Sequence, residues 1–521
     1  MEVHWADKTA KELEKEKQPI HLSAGLSMRG LQHIGRLRGE LIVDDVIKRI
    51  LEKKKIKTIQ YLIQYDHDPQ KEKPLKIVLK DPKLVKKYTG MRLNDIPCPD
   101  KCCSSWNEHF WKDFGNYLKD FGLKPKIVKT SEIYKKKEFK EIIKKCLTGR
   151  EKLRLLVNKY RKRNPYPKGW IPYNPICNKC KKITDAEPIS FDLEKFTIKY
   201  KCKCGNMGES SLTEGKLNWR IEWAALWKFL HIEFEPYGKD HAAAGGSRES
   251  CSYIAKNFFN IEPPKGFPYE WVALSKGGKE IGEMTASGFI GISPKEWLEI
   301  GEPEVLRYWF IKSKPMKRLV LDLTNIHVLF DEYDEGELVY FGEKKIENET
   351  DREHIKRSYE LSQIKIPKRS LVIPYNFAAI VSQLMNLDSA IKLFRTTGHI
   401  KGKISKDEEK RIEKRLKSAK NWVEKYAPEF KIKLIEKPDS SKLNEKQKKA
   451  LKDLSKELKK KLSEKELYTK FFEIARNNDL ESKIFFRGAY LILLGKPFGP
   501  RLAPLILSIG KERVKKIFES I

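Results

Sequence analysis

The chain has 521 residues, 40% of them hydrophobic, which is enough for two to four domains and at least one large buried core. Lysine and arginine outnumber aspartate and glutamate by 106 to 72, a net charge of +34 that favours encounter with polyanions such as nucleic acid without naming one. No apolar run approaches the roughly 18 residues that cross a bilayer, and residues 1–17 are charged and lack an apolar signal core, so a helical membrane span is excluded and a cytoplasmic location is expected.

Residues 18–23 read as a strand, followed by a glycine-containing turn and a helix from about Leu37. Leu41, Ile42, Val46, Ile47, Ile50 and Leu51 share one face at helical spacing. A second strand follows at residues 59–65, and strand, helix, strand in so short a stretch predicts a βαβ unit and a parallel sheet. A strand-like run resumes at residues 269–274. Ser293, Pro294 and Glu296 then open a helix with a capping box. From about residue 370 the pattern is helical: Ser405 and Glu408 form another box, and Ile412, Leu416, Ala419, Trp422, Val423 and Tyr426 line one face. Gln447, Leu451, Leu454 and Leu458 repeat that spacing, and a helix through Tyr490 to Leu494 stops at Gly495, with Pro497 just beyond. The lysine-rich stretch from Lys437 to Lys465 reads as either a solvated helix pair or a mobile hairpin. No internal repeat is present.

Nine cysteines fall mostly into tight groups, which in a reducing compartment read as metal ligands. Cys177-x2-Cys180 with Cys202-x-Cys204 offers four thiolates to a tetrahedral zinc. Cys98, Cys102, Cys103 and His109 offer a second, three-sulfur and one-nitrogen set, with Pro97, Pro99 and Asp100 making the tight turn that adjacent cysteines need. Four protein ligands leave no open position, so both sites are expected to be structural. Cys146 and Cys251 are expected to be packed thiols.

The turn after the first strand reads Ala24-Gly25-Leu26-Ser27-Met28-Arg29-Gly30-Leu31-Gln32-His33-Ile34-Gly35. In parallel α/β sheets ligands bind at such strand ends, and a helix N-terminus with nearby glycines suits a phosphate. His33 there is placed to donate a hydrogen bond to it.

His33-Ile34-Gly35 resembles the HIGH signature of class I aminoacyl-tRNA synthetases, and the wider turn is similar to that of the class I lysyl enzymes. Met28, Arg29 and Arg36 depart from that pattern, standing where it has proline, a small polar residue and asparagine; both arginines either reach phosphate or mark a weakened ATP site. Gly215-Lys216-Leu217-Asn218-Trp219-Arg220-Ile221-Glu222-Trp223, followed by Gly238-Lys239-Asp240-His241 and Gly245-Gly246-Ser247, resembles the lysyl family's most specific block. Glu283-Met284-Thr285-Ala286-Ser287 takes the place of the KMSKS loop without its two lysines, and Lys276 and Lys279 lie near enough in sequence to substitute. Further similarity runs through Ser293-Pro294-Lys295-Glu296-Trp297, Glu304 to Trp309, Asp331-Glu332-Tyr333-Asp334 and Gly499-Pro500-Arg501-Leu502. The family also has a cysteine or histidine in place of Cys103.

The resemblance implies a Rossmann-type class I synthetase catalytic domain over residues 1–300 with a zinc-bearing insertion at about 95–215. A connecting domain that contacts the tRNA stem at 301–370 and an all-α anticodon-binding domain at 371–521 would follow. It implies activation of lysine with ATP and magnesium and transfer to tRNA-Lys. Ser27, His33, Gly35, Arg36, Met284, Thr285, Ala286 and Ser287 would form the ATP and catalytic site. Gly25, Ser27, Glu222, Trp223, Asp240, His241 and Tyr269 would form the lysine site, the carboxylates pairing with the ammonium and the aromatics covering the aliphatic stem. A monomer is expected. Two alternatives stay open: a class I synthetase for another amino acid such as glutamate, which would need an arginine in the pocket, and a zinc-stabilised RNA-binding paralogue with impaired catalysis, suggested by the lost loop lysines.

Overall fold

Strand β1 (Ile20–Leu26) runs parallel to β2 (Thr58–Gln64), which runs parallel to β3 (Lys126–Lys129), in the order β1-β2-β3. The computed structural model describes residues 4–369, 371–435 and 438–521. β1 begins at Ile20 because Pro19 has no N–H to give the ladder, and it continues past Ser23 because Ala24, Gly25 and Leu26 pair with Leu62, Ile63 and Gln64. Between β1 and β2 the chain enters a helix at Gly35–Leu37, winds as a π-turn over Arg38–Ile42, and continues as α1 (Val43–Lys53). This is the βαβ unit the hydrophobic spacing predicts.

Both faces of β2 are buried, as a parallel sheet requires. Tyr61, Ile63 and Tyr65 meet a core that includes Ile221, Trp223, Ala224 and Trp227 of the aromatic helix α3 (Trp219–Leu230). Phe234 bridges to Leu22 on the other edge of β1, and Ser23 N–H donates to its carbonyl at 3.0 Å. The insertion carries α2 (Trp106–Gly115) and an antiparallel sheet of β4 (Ala186–Asp192), β5 (Thr197–Cys202) and β6 (Met207–Ser211).

The run predicted as one strand at 269–274 is divided between two sheets. Pro268 and Tyr269 pair with Tyr237 and Gly238, while β7 (Val272–Lys276) forms an antiparallel hairpin with β8 (Lys279–Glu283). The step falls at Glu270, whose N–H donates to Pro315, and at Trp271, whose N–H is taken by the Glu270 side chain. The Ser293–Glu296 capping box forms with both arms, at 2.7 and 3.2 Å.

Residues 1–296, 307–321 and 347–364 make one compact unit; 297–306, 322–346 and 365–521 make the other. The segment 301–370 is thus shared between them. The second unit is helical, with α4 (His327–Tyr340), α5 (Tyr375–Leu384), α6 (Lys406–Lys425), α7 (Glu445–Glu457), α8 (Glu464–Asn477), α9 (Ser482–Leu494), α10 (Leu502–Ile509) and α11 (Lys511–Glu519). The lysine-rich stretch holds one whole helix, α7, and only the first two residues of α8; the two helices carry capping boxes Asn444/Gln447 and Ser463/Glu466, and α7 buries Leu451 and Leu454. The first residue of the stretch, Lys437, lies outside the described residues. Arg415, only 3% exposed, pairs with Glu302 and Asp334, each at 3.0 Å. Asp331 and Arg501 approach to 3.8 Å, so two of the family-like segments meet.

Among the described residues no helix is long and apolar enough to cross a membrane.

Candidate active site

Above the ends of β1 and β2 opens a cavity of about 820 Å³ in the first unit. Of the residues expected at the ATP and catalytic site, Ser27, His33, Gly35, Arg36, Met284, Thr285, Ala286 and Ser287 all line it. His33 is 6% exposed; burial, then the neighbouring Arg36 guanidinium, hold its imidazole well below the usual range, so it is neutral at pH 7. A neutral imidazole still offers one N–H to a phosphate oxygen.

The loop after β8 is held against the turn. Thr285 and Ile290 exchange backbone hydrogen bonds at 2.9 and 3.2 Å, and Ile34 N–H donates to Ile292 at 2.8 Å. The Ala286 carbonyl comes so close to Gly30 that a Cβ there would lie 2.4 Å from it, which is why glycine is required. Lys276 and Lys279 pair with each other at the far end of the hairpin and do not line the cavity. The cations that do are Arg29, Arg36, Lys71 and Lys216. Arg29 is paired with Asp68 at 2.8 Å. Arg29, first, and burial, second, lower the Lys71 pKa, as two cations facing one empty space must.

Of the residues expected around the lysine, Gly25, Ser27, Trp223, Asp240, His241 and Tyr269 line the cavity and Glu222 does not. Glu222 is fully buried, 2.8 Å from Lys216, with the Tyr134 hydroxyl donating to it. Lys216 also pairs with Asp68, so it bridges a carboxylate on the cavity wall to one behind it. Trp223 stacks on Trp219 with centroids 5.3 Å apart and meets His241 edge-on at 5.2 Å.

Two further buried carboxylates line the cavity. Glu235, 3% exposed, accepts from Ser23 Oγ at 3.0 Å, from Trp223 Nε1 at 3.0 Å and from Trp227 Nε1. Glu40, 6% exposed, lies inside the π-turn, where Tyr269 is laid so closely over Gly39 that a Cβ would be 2.4 Å from its ring. Burial raises the pKa of both, opposed by Arg36 at Glu40 and by Arg248 at Glu235. A π-turn inserts one residue into the helical register and is a recurrent device for aiming a side chain.

The glycine-containing turn after β1, a facing loop, tryptophans and buried carboxylates are therefore joined in one cavity. The family described as tRNA synthetases class I (K) matches residues 3–365. A lysine–tRNA ligase of Aeropyrum pernix is 38% identical, covering 97% of this chain and 95% of its own length. Those of Methanocaldococcus jannaschii and Pyrococcus horikoshii are 35% and 32% identical, each covering at least 98% of both chains. The chain belongs to the class I lysyl-tRNA synthetase family.

This class I synthetase brings both sets of metal-ligand candidates together. Cys98, Cys102, Cys103 and His109 have their ligand atoms within 4.8 Å of one another, as do Cys177, Cys180, Cys202 and Cys204. Sulfurs at tetrahedral corners about 2.3 Å from zinc are about 3.8 Å apart, and a sulfur and a nitrogen about 3.5 Å apart. The Cys98–Cys102 and Cys102–Cys103 sulfur distances are 3.7 and 3.8 Å, and Nδ1 of His109 is 3.5 Å from both Cys98 and Cys102. In the other cluster Cys177–Cys204 is 3.7 Å and Cys180–Cys202 3.6 Å. The residues fit the ion. Cys146 and Cys251 are buried in the core of the first unit, and burial pushes both thiols up.

Proposed function

We propose that the synthetase uses this cavity to join lysine to AMP and then to the terminal ribose of tRNA-Lys. A lysine carboxylate oxygen bonds to the α-phosphorus of ATP as the bond to pyrophosphate breaks. A ribose hydroxyl then bonds to the acyl carbon, and AMP leaves. The protein supplies positions and charge, with no nucleophile of its own. His33 and the turn from Ser27 to Gly35 suit the phosphates, which magnesium would accompany, and the Met284–Ser287 loop suits the other side. The lysine stem suits the Trp219–Trp223 face, and its ε-ammonium suits Glu40 and Asp240.

The observation that carries this reading is Glu40: a carboxylate 6% exposed on the cavity wall, already holding a cation, beside the Tyr269 ring and on the helix that continues from the turn. An acidic wall favours lysine over glutamate. Both cysteine clusters would hold zinc, which would fix the insertion against the turn and take no part in the chemistry. Residues 371–521 would grip the anticodon region, and the protein would work in the cytoplasm as a monomer.

ATP–pyrophosphate exchange with a panel of amino acids tests this, lysine being the expected stimulant. Stimulation by glutamate and not lysine would transfer the reading to another class I synthetase. Binding of tRNA without exchange for any amino acid would leave an RNA-binding paralogue.

A further inference from the structure

Arg36 is held by another residue of the site. Its Nη1 lies 2.8 Å from Glu40 Oε1 one helical turn on, and both side chains line the cavity. The arginine side chain is 30% exposed and the carboxylate only 7%, so the guanidinium stands between Glu40 and the open space. Tyr269 and Asp240, which also line the cavity, lie within electrostatic reach of the same guanidinium. Glu40 Oε2 is buried, so the oxygen that opens on the cavity is Oε1, and a cation approaching it must move the Arg36 guanidinium aside.

We propose that Arg36 is an internal stand-in for the substrate's cation: its guanidinium occupies Glu40 until the lysine ε-ammonium displaces it, and the freed arginine then pairs with the ATP phosphates. This rests on the reading of the cavity as a lysine and ATP site. The geometry of the exchange is local. Arg36 belongs to the same turn as His33, so a swing of its side chain away from Glu40 keeps it in the same cavity. A guanidinium pairs bidentately with phosphate as readily as with carboxylate. The family pattern has asparagine here, which neither competes with lysine nor neutralises phosphate.

The consequence is a coupling between substrates. Lysine alone binds only the fraction of molecules in which Arg36 has left Glu40. ATP stabilises that fraction, so each substrate raises the affinity for the other by the same factor.

The test uses the full chain and measures lysine and ATP binding separately and together, by calorimetry or by fluorescence of the cavity tryptophans. In Arg36→Asn, lysine without ATP is expected to bind about tenfold tighter, if the arginine-free state of the natural protein is roughly one-tenth populated. ATP is expected to bind more weakly, and the mutual enhancement to fall towards one. Lysine binding of unchanged or lower affinity in folded Arg36→Asn overturns the proposal while leaving the lysine site intact. No lysine binding by either protein, with or without ATP, overturns the reading of the site itself. Should Arg36→Asn not fold, a crystal structure of the natural protein with lysine decides: Arg36 away from Glu40 is expected, and Arg36 still paired with it overturns the proposal.

Discussion

Phe289 packs edge-on against Phe110, with ring centroids 5.6 Å apart and planes at 74°. Phe110 directly follows His109 of the first cysteine cluster, and Phe289 follows the Met284–Ser287 loop by one glycine. Trp106, on the same helix, donates through Nε1 to the Arg29 carbonyl at 3.2 Å. The cluster is thereby tied to both sides of the phosphate turn.

The contact should matter to ATP more than to lysine. An edge-to-face pair contributes about 0.5–1.5 kcal/mol beyond the area it buries. Phe110→Ala is expected to raise the ATP requirement in pyrophosphate exchange by about three- to tenfold, with the lysine requirement nearly unchanged. Denatured protein should release about two zinc ions per chain, and Cys103→Ser about one, together with the same loss of ATP affinity as Phe110→Ala. Full ATP affinity in the Cys103→Ser protein would show that the cluster and the loop are independent.

The missing loop lysines lead to a second expectation. Lys71 and Arg29 both line the cavity within electrostatic reach of each other, and the Nζ of Lys73 would lie 3.6 Å from a Cβ placed on Gly288. Lys71→Ala should therefore weaken ATP binding by roughly tenfold, the loss of one charge-assisted hydrogen bond. Lys276→Ala and Lys279→Ala, at the far end of the hairpin, should leave it unchanged. A tenfold loss at Lys276 would mean that the hairpin folds over the cavity during the reaction.

A pH effect follows from His4. Its Nδ1 accepts from the Ala6 N–H at 3.2 Å, capping the N-terminal helix Trp5–Leu13, while Nε2 lies 3.2 Å from the Ile311 carbonyl. Burial first, then His354, with Arg357 adding and Asp7 opposing, lower its pKa to about 4. A histidine whose folded pKa lies below the unfolded value takes its proton more readily when unfolded, so acid favours unfolding. The stabilisation is complete above the unfolded value of about 6.5 and is lost as the pH falls towards 4. Asn also caps helices and does not titrate, so the stability of the natural protein relative to His4→Asn should drop by up to about 3 kcal/mol between pH 6.5 and 4. A constant difference across that range, from denaturant unfolding, would mean His4 does not titrate there.

Much of this was readable from residue patterns. The βαβ unit follows from spacing because burial on a sheet and on a helix have different periods. The cysteine clusters follow because four ligands must reach one point within short loops. The acidic wall was harder. Glu222 precedes Trp223 in the most family-like block, but neighbours on a helix point about 100° apart, so the rotation that turns Trp223 to the cavity turns Glu222 to Tyr134 and Lys216. Glu40 sits in a helix whose π-turn shifts the register by a residue, a feature that no periodicity announces. Glu235 stands between Phe234 and Pro236, outside any family-like block, and only the fold brings it to Trp223 and Trp227. Lys216 was within sight, in the Gly215-Lys216 pair of the family-like block.

That difference between Glu222 and Asp240 can be measured. Glu222 is buried with a buried lysine that keeps Asp68 as a second partner, so Glu222→Gln should cost about 1–3 kcal/mol of stability, lowering Tm while the lysine KM of the folded fraction changes little. Asp240 is half-exposed on the cavity wall, so Asp240→Asn should leave Tm nearly unchanged and raise the lysine requirement about tenfold, the value of one charged hydrogen bond. An equal rise in the lysine and ATP requirements would remove Asp240 as an ammonium partner. A large rise in lysine KM for Glu222→Gln at unchanged Tm would mean that Lys216 swings aside and that Glu222 reaches the substrate after all.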